Sequence, residues 1–196
     1  MSAFELYFAL GKEHILDYAN GYDHILFVLA LCAVYLVQDW KKILILVTAF
    51  TVGHSITLAL ATLDVIAVPT MWVEFFIPLT VFATAVSNLF RKEESPAKNP
   101  VSINYLLALF FGLIHGMGFS NYLKSLLGRQ ESIGMPLFAF NVGLEIGQII
   151  IVGLFLAVSF IAVNLGGANR RDWKMIISSA VAGIALMLMK DRIPEL

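Results

Sequence analysis

Long apolar runs, separated by short polar segments, dominate the pattern of this chain. A helix that crosses a bilayer core of about 30 Å needs about 20 mainly apolar residues. Inside lipid every backbone polar group must find a partner within the protein, which favours helices. The pattern therefore predicts an all-α, polytopic membrane protein, a bundle of six transmembrane helices. The predicted spans lie at about 21–38, 42–63, 69–90, 103–125, 135–165 and 173–190.

Composition supports a membrane protein and excludes several other classes. The chain has 196 residues, of which 59% are hydrophobic and 14% charged, whereas a soluble domain is about 45–50% apolar and about 25% charged. We expect a single integral membrane domain over residues 1–196. Because 13 basic and 14 acidic residues leave no excess positive charge, a nucleic-acid partner is not expected. The sequence also lacks a Gly-x-x-x-x-Gly-Lys-Ser/Thr loop, so no bound nucleotide is predicted.

The ends and loops predict how the chain sits in the membrane. Residues 1–20 read as an amphipathic segment at the membrane surface, not as a signal peptide. The connections after the first, third and fifth spans carry eight Lys and Arg residues with their flanks, against five on the other side. Positively charged loops stay in the cytoplasm. Both termini are therefore predicted to lie outside it.

Ionisable side chains within the spans are the strongest functional signal, because each costs about 2.5–3.5 kcal/mol at the centre of a membrane helix. At a rise of about 1.5 Å per residue, helices of alternating direction bring these groups to one layer in the outer half of the membrane. We predict a metal site there. Its candidate ligands are His14, His24, His54, His115, Asp23, Glu74 and Glu145.

Polar neighbours and ligand chemistry refine this prediction. Thr51 and Thr57 lie three residues on either side of His54, and Asn141 and Gln148 flank Glu145 at helical spacing, so these four are candidate supporting residues. Imidazoles with carboxylates suit nickel, cobalt, zinc or copper.

Structural alternatives exist for five of the candidates. His54 and His115 can be structural histidines that bond across helices. Asp23 can cap a helix at the interface, Glu74 can face lipid headgroups, and His14 can be an ordinary interfacial histidine.

Four motifs resemble a known family. They occupy residues 21–27 (GYDHILF), 50–58 (FTVGHSITL), 111–119 (FGLIHGMGF) and 140–148 (FNVGLEIGQ). Together they resemble the hydrogenase/urease accessory membrane proteins called HupE/UreJ. The resemblance implies a small multi-pass protein of the bacterial inner membrane linked to nickel or cobalt uptake. Asp17-Tyr18 stand where classical members have His-Pro, which places this chain with a HupE/UreJ-like branch.

Three functions fit these features. The favoured one is a divalent transition-metal permease that releases its ion when protons compete for imidazole, whose ordinary pKa is about 6.5. For this function Ser87, Asn88 and Asn104 are the best candidates for an exit path.

The second candidate function is an intramembrane zinc hydrolase that uses the same cluster, with Glu145 as general base. The third is a non-catalytic assembly subunit. Membrane lipid, a metal ion and, in a homo-oligomer, further copies of the chain are the expected partners.

Overall fold

The computed structural model describes residues 2–18, 21–91, 101–127 and 133–193, and within them the chain is helical, without strands. Most of the polar connections predicted at 91–100 and 128–134 lie outside the described residues. Eight α-helices follow one another: α1 (Ala3–Leu16), α2 (Tyr22–Cys32), α3 (Trp40–Thr62), α4 (Thr70–Phe90), α5 (Val101–Gly118), α6 (Ser120–Leu127), α7 (Gly134–Ser159) and α8 (Arg170–Asp191).

Four of these helical segments are long and apolar enough to cross a membrane, and the α5–α6 pair is a possible fifth. The four are Val37–Thr62, Thr70–Phe90, Gly134–Leu165 and Arg170–Asp191. The described part of the chain is therefore that of a multi-pass membrane protein with four or five candidate spans, and the predicted count of six is not confirmed.

The difference lies in the first and fourth predicted spans. Helix α2 has only 11 residues and ends at Cys32, because the apolar residues that follow it form a turn. The fourth predicted span bends by 48° between α5 and α6. There the hydroxyl of Ser120 donates a hydrogen bond to the carbonyl of Met117, which competes with regular helical bonding. Apolarity predicts the length of such runs but does not show where they break.

Close glycine contacts hold α3 against α5. A Cβ on Gly112 would collide with the backbone of Phe50, and one on Gly116 with the carbonyl oxygen of His54. A Cβ on Gly53 would meet the backbone of α5 in the same way. Small residues allow such approach between membrane helices. This crossing fixes the backbone of His54 beside α5, the helix that carries His115.

Helices α1 and α7 cross in the same manner. A Cβ on Gly143 would meet the carbonyl oxygen of Phe8 and lie against the amide nitrogen of Lys12. These are the same two types of backbone atom, four residues apart, that Gly112 faces in the α3–α5 pair. Gly11 likewise meets a carbonyl of α7. The bundle thus contains two equivalent glycine crossings, and α1 packs along a membrane-spanning helix; the surface position predicted for residues 1–20 stays a prediction.

Candidate metal centre

Three histidines from three helices meet inside the bundle. His14 lies in the last turn of α1, His24 in the first turn of α2 and His54 in the middle of α3. One ring nitrogen of each lies within 4.8 Å of the other two. His54 is fully buried and His24 is 5% exposed. We call His14, His24 and His54 the histidine group.

A tight turn brings the first two members of this group together. The amide of Gly21 donates a hydrogen bond to the carbonyl of Asp17, which holds the start of α2 close to the end of α1. A Cβ on Gly21 would lie 3.1 Å from the carbonyl oxygen of His14, so a residue without a side chain fits best here. The start of α2 therefore lies directly beside the end of α1.

Most ring nitrogens of the four histidines have no hydrogen bond within the described residues. Among the described residues, Nε2 of each of the four histidines is buried without a hydrogen bond, and so are Nδ1 of His24 and Nδ1 of His54. Leaving a buried polar atom unpaired costs about 1–3 kcal/mol. Neutral imidazole nitrogens are common ligands of divalent transition metals, so the residues fit such an ion.

Asp23 contacts its neighbour His24 through one carboxylate oxygen. Its Oδ1 accepts the backbone N–H of His24 at 3.0 Å and lies 3.1 Å from Nδ1 of the same residue. The contact with Nδ1 has an ion-pair distance but not the geometry of a hydrogen bond. A carboxylate beside Nδ1 still favours a proton on that nitrogen by its charge, which leaves Nε2 free to bind a metal. The other oxygen of Asp23 accepts a hydrogen bond from Arg192 at 2.9 Å.

His115 lies next to the histidine group but outside it. Its ring centroid is 5.2 Å from that of His24, and its Nδ1 donates to the carbonyl of Phe111 at 2.9 Å. This hydrogen bond again leaves Nε2 free. On its other side the ring contacts Phe27 and Phe50, with centroid distances of 5.2 and 5.1 Å. His115 thus links the histidine group to an aromatic layer.

A cavity of about 850 Å³ opens onto the cluster. His14, His24 and His115 line it together with Asp23. Glu74 also lines it, as an exposed residue near the start of α4. We call this the first cavity.

Glu145 lies apart from the histidine group. Its Oε1 accepts a hydrogen bond from Thr48 at 2.6 Å, and Gln148 accepts one from Thr51 at 2.7 Å, so these four residues pair across the α3–α7 contact. Glu145 is not among the residues that the structure brings together as possible ligands of one ion.

The remaining predicted supporting residues bond within their own helices. Thr57 donates to the carbonyl of Gly53, and Asn141 donates to that of Leu137. Neither is hydrogen-bonded to a histidine side chain.

Sequence reasoning missed two polar partners in this region. Thr48 lies three residues before Thr51, the same spacing that separates their partners on α7, and this match is a usable signal. Arg192 follows the last apolar run. In the sequence it is one of several basic residues, and no pattern there pairs it with Asp23.

A second cavity of about 240 Å³ lies at the opposite end of α2, α4 and α5, and Ser87, Asn88 and Asn104 line part of it. Asn88 donates to the carbonyl of Ala30 at 2.7 Å.

Phenyl rings separate this cavity from the histidines. The ring centroid of Phe27 lies 4.8 Å from that of Phe50 and 5.8 Å from that of Phe111, and Phe111 also lines the second cavity. We call Phe27, Phe50 and Phe111 the phenyl layer.

Comparison with known proteins gives one match. No curated protein and no solved structure matches this chain. The family model described as "HupE / UreJ protein" matches residues 1–191, which is nearly the whole chain. The four motifs and the histidine cluster fall within the matched region. The chain therefore belongs to the HupE/UreJ family.

Proposed function

We propose that this protein is a membrane permease for a divalent transition metal of the nickel or cobalt type, and that the histidine group is its intramembrane binding site. The observation that carries the proposal is the meeting of His14, His24 and His54, which bring one ring nitrogen each within 4.8 Å of the others and whose Nε2 atoms are buried without a hydrogen bond. Membership of a family linked to nickel and cobalt handling supports the choice of metal.

The arrangement of the two cavities supports transport. The first cavity opens onto the histidine group. His115 contacts His24 on one side and the phenyl layer on the other. Beyond that layer lies the second cavity, with the side chains of Asn88 and Asn104. A cation would enter by the first cavity, bind to imidazole, pass His115 and leave by the second cavity when the aromatic rings move apart. Protonation of the imidazoles would assist release.

We also propose the membrane arrangement. The chain forms a single integral domain of the bacterial inner membrane with both termini outside the cytoplasm. In this arrangement α2 serves as a short first span, and the bent α5–α6 pair serves as the fourth, which gives six. The basic residues of the predicted cytoplasmic connections support the orientation. Lipid surrounds the bundle, and a homo-oligomer is compatible with it.

The hydrolase alternative has weaker support. A zinc hydrolase needs a general base close to the metal-bound water, and the predicted base Glu145 is hydrogen-bonded to Thr48 on the α3–α7 contact instead. Two cavities at opposite ends of the bundle are needed for passage but not for catalysis.

Metal analysis of the purified protein tests the proposal. We expect nickel or cobalt to bind the wild type at about one ion per chain and to be lost in His54→Ala. Ser55→Ala is the matched control, because its hydroxyl donates a hydrogen bond to the Thr51 carbonyl of its own helix. Uptake into liposomes is then measured for the same variants and for His115→Ala. Binding with uptake supports the permease, binding without uptake supports the enzyme, and absence of metal from the wild type supports an assembly role.

A further inference from the structure

The first cavity is acidic and contains one permanent positive charge. Four carboxylates line it, from Glu13, Asp17, Asp23 and Glu74. Among its described lining residues, Arg192 is the only lysine or arginine. A guanidinium stays charged at any physiological pH. In a cavity that would bind a cation, a fixed positive charge opposes binding and therefore requires an explanation.

The positive charge of Arg192 pairs with Asp23, the carboxylate that contacts His24. Arg192 follows α8 directly, and its Nη1 lies 2.9 Å from Oδ2 of Asp23. The Asp23 side chain is 7% exposed, and that of Arg192 is 24% exposed. The other carboxylate oxygen of Asp23, Oδ1, contacts the backbone N–H and Nδ1 of His24. One buried carboxylate is thus shared between an arginine and a histidine of the histidine group.

We infer that Arg192 is a built-in counter-cation of the metal centre, which neutralises Asp23 in the metal-free protein and gives up part of that interaction when a divalent cation binds. The inference rests on the proposed function. A buried carboxylate without a counter-charge is costly, so the guanidinium keeps the metal-free site stable. A divalent ion brings more charge than the guanidinium and can compete for Asp23, whereas a monovalent ion brings no more. Arg192 is therefore a specificity-determining residue.

The sign of the effect separates this role from a merely structural one. Asp23 keeps its contacts with His24 when Arg192 is removed, because those contacts use the other oxygen. Removing the positive charge then leaves a more negative site, which attracts cations more strongly. If Arg192 only held Asp23 in place, its removal would disturb His24 and weaken binding.

Titration calorimetry of purified protein with NiCl₂ and CoCl₂ tests the inference. We expect Arg192→Gln to bind either metal about tenfold more tightly than the wild type (about 1.4 kcal/mol), and to lose more of that affinity to competing potassium. Arg192→Lys retains the charge and should stay within about threefold. Lys190→Gln removes a charge from an exposed residue of the same helix end and serves as the control. If Arg192→Gln does not fold, Arg192→Met replaces it.

The outcomes are distinct from those for the proposed function. Unchanged or weaker binding in Arg192→Gln, with binding in the wild type that depends on His54, overturns the role of Arg192 and leaves the metal site standing. Absence of binding in the wild type overturns both.

Discussion

The rings of His14 and His24 meet edge to face, with centroids 4.5 Å apart and planes inclined at 66°. These two residues belong to different helices and are joined by the turn that contains Gly21. Their contact makes α1 a part of the histidine group, so the N-terminal helix contributes a candidate metal ligand as well as packing.

His14→Ala is expected to weaken nickel or cobalt binding by at least about 10- to 100-fold, since even the loss of a residue that only supports a ligand has an effect of this size. The measurement is equilibrium metal binding by the purified protein. Lys12→Gln, on the same helix, is the control and should bind as the wild type does. An affinity that His14→Ala leaves unchanged would show that the site consists of the other histidines alone.

Gly116→Ala is expected to destabilise the bundle by about 1–3 kcal/mol, the usual cost of an added methyl in a packed interior. The reason is the contact of Gly116 with the His54 carbonyl and the Thr57 hydroxyl. Thermal unfolding in detergent measures the effect. Gly153→Ala is the matched control, because a Cβ there meets nothing within 4 Å. Equal melting temperatures for the two variants would contradict the role of the α3–α5 crossing.

Phe27→Leu is expected to increase the rate of metal uptake into liposomes several-fold while metal affinity changes little, because Phe27 belongs to the phenyl layer and is not a ligand. The side chain is fully buried against Phe50 and His115, and leucine retains much of its apolar volume. Phe138→Leu alters an aromatic residue that is 64% exposed and serves as the control. Unchanged uptake by a folded, metal-binding Phe27→Leu protein would remove the phenyl layer from the transport path.

Glu145→Gln is expected to leave the metal stoichiometry unchanged, since the carboxylate pairs with Thr48 and lies outside the histidine group. A glutamine can still accept the threonine hydrogen bond, so stability should change by less than about 1 kcal/mol. Thr48→Val tests the same contact from the other helix. Loss of metal from Glu145→Gln would restore the role as a ligand that the sequence predicts for this residue.

The apolar pattern determined the fold class of this protein. Runs long enough to cross a bilayer and poor in charge have one stable solution, the helix, because lipid offers no partner to the backbone. Costly imidazoles such as His54 also indicated from sequence where a polar site lies, since they persist in lipid only where they have a use. The matched spacing of Gly112 with Gly116 and of Gly143 with Gly147 was visible as well, although its equivalence in two helix pairs was not.

Tertiary structure alone decided which polar groups meet. Helical spacing places a residue on a face, but the partner of that face depends on how the helices cross and where they break. Glu145 and His54 share a predicted depth in the membrane. The orientation of α7 nevertheless places Glu145 against Thr48, from which it accepts a hydrogen bond. The pairing of Asp23 with Arg192 joins residues 169 positions apart. No local pattern encodes such a contact, because it follows from the packing of the whole bundle.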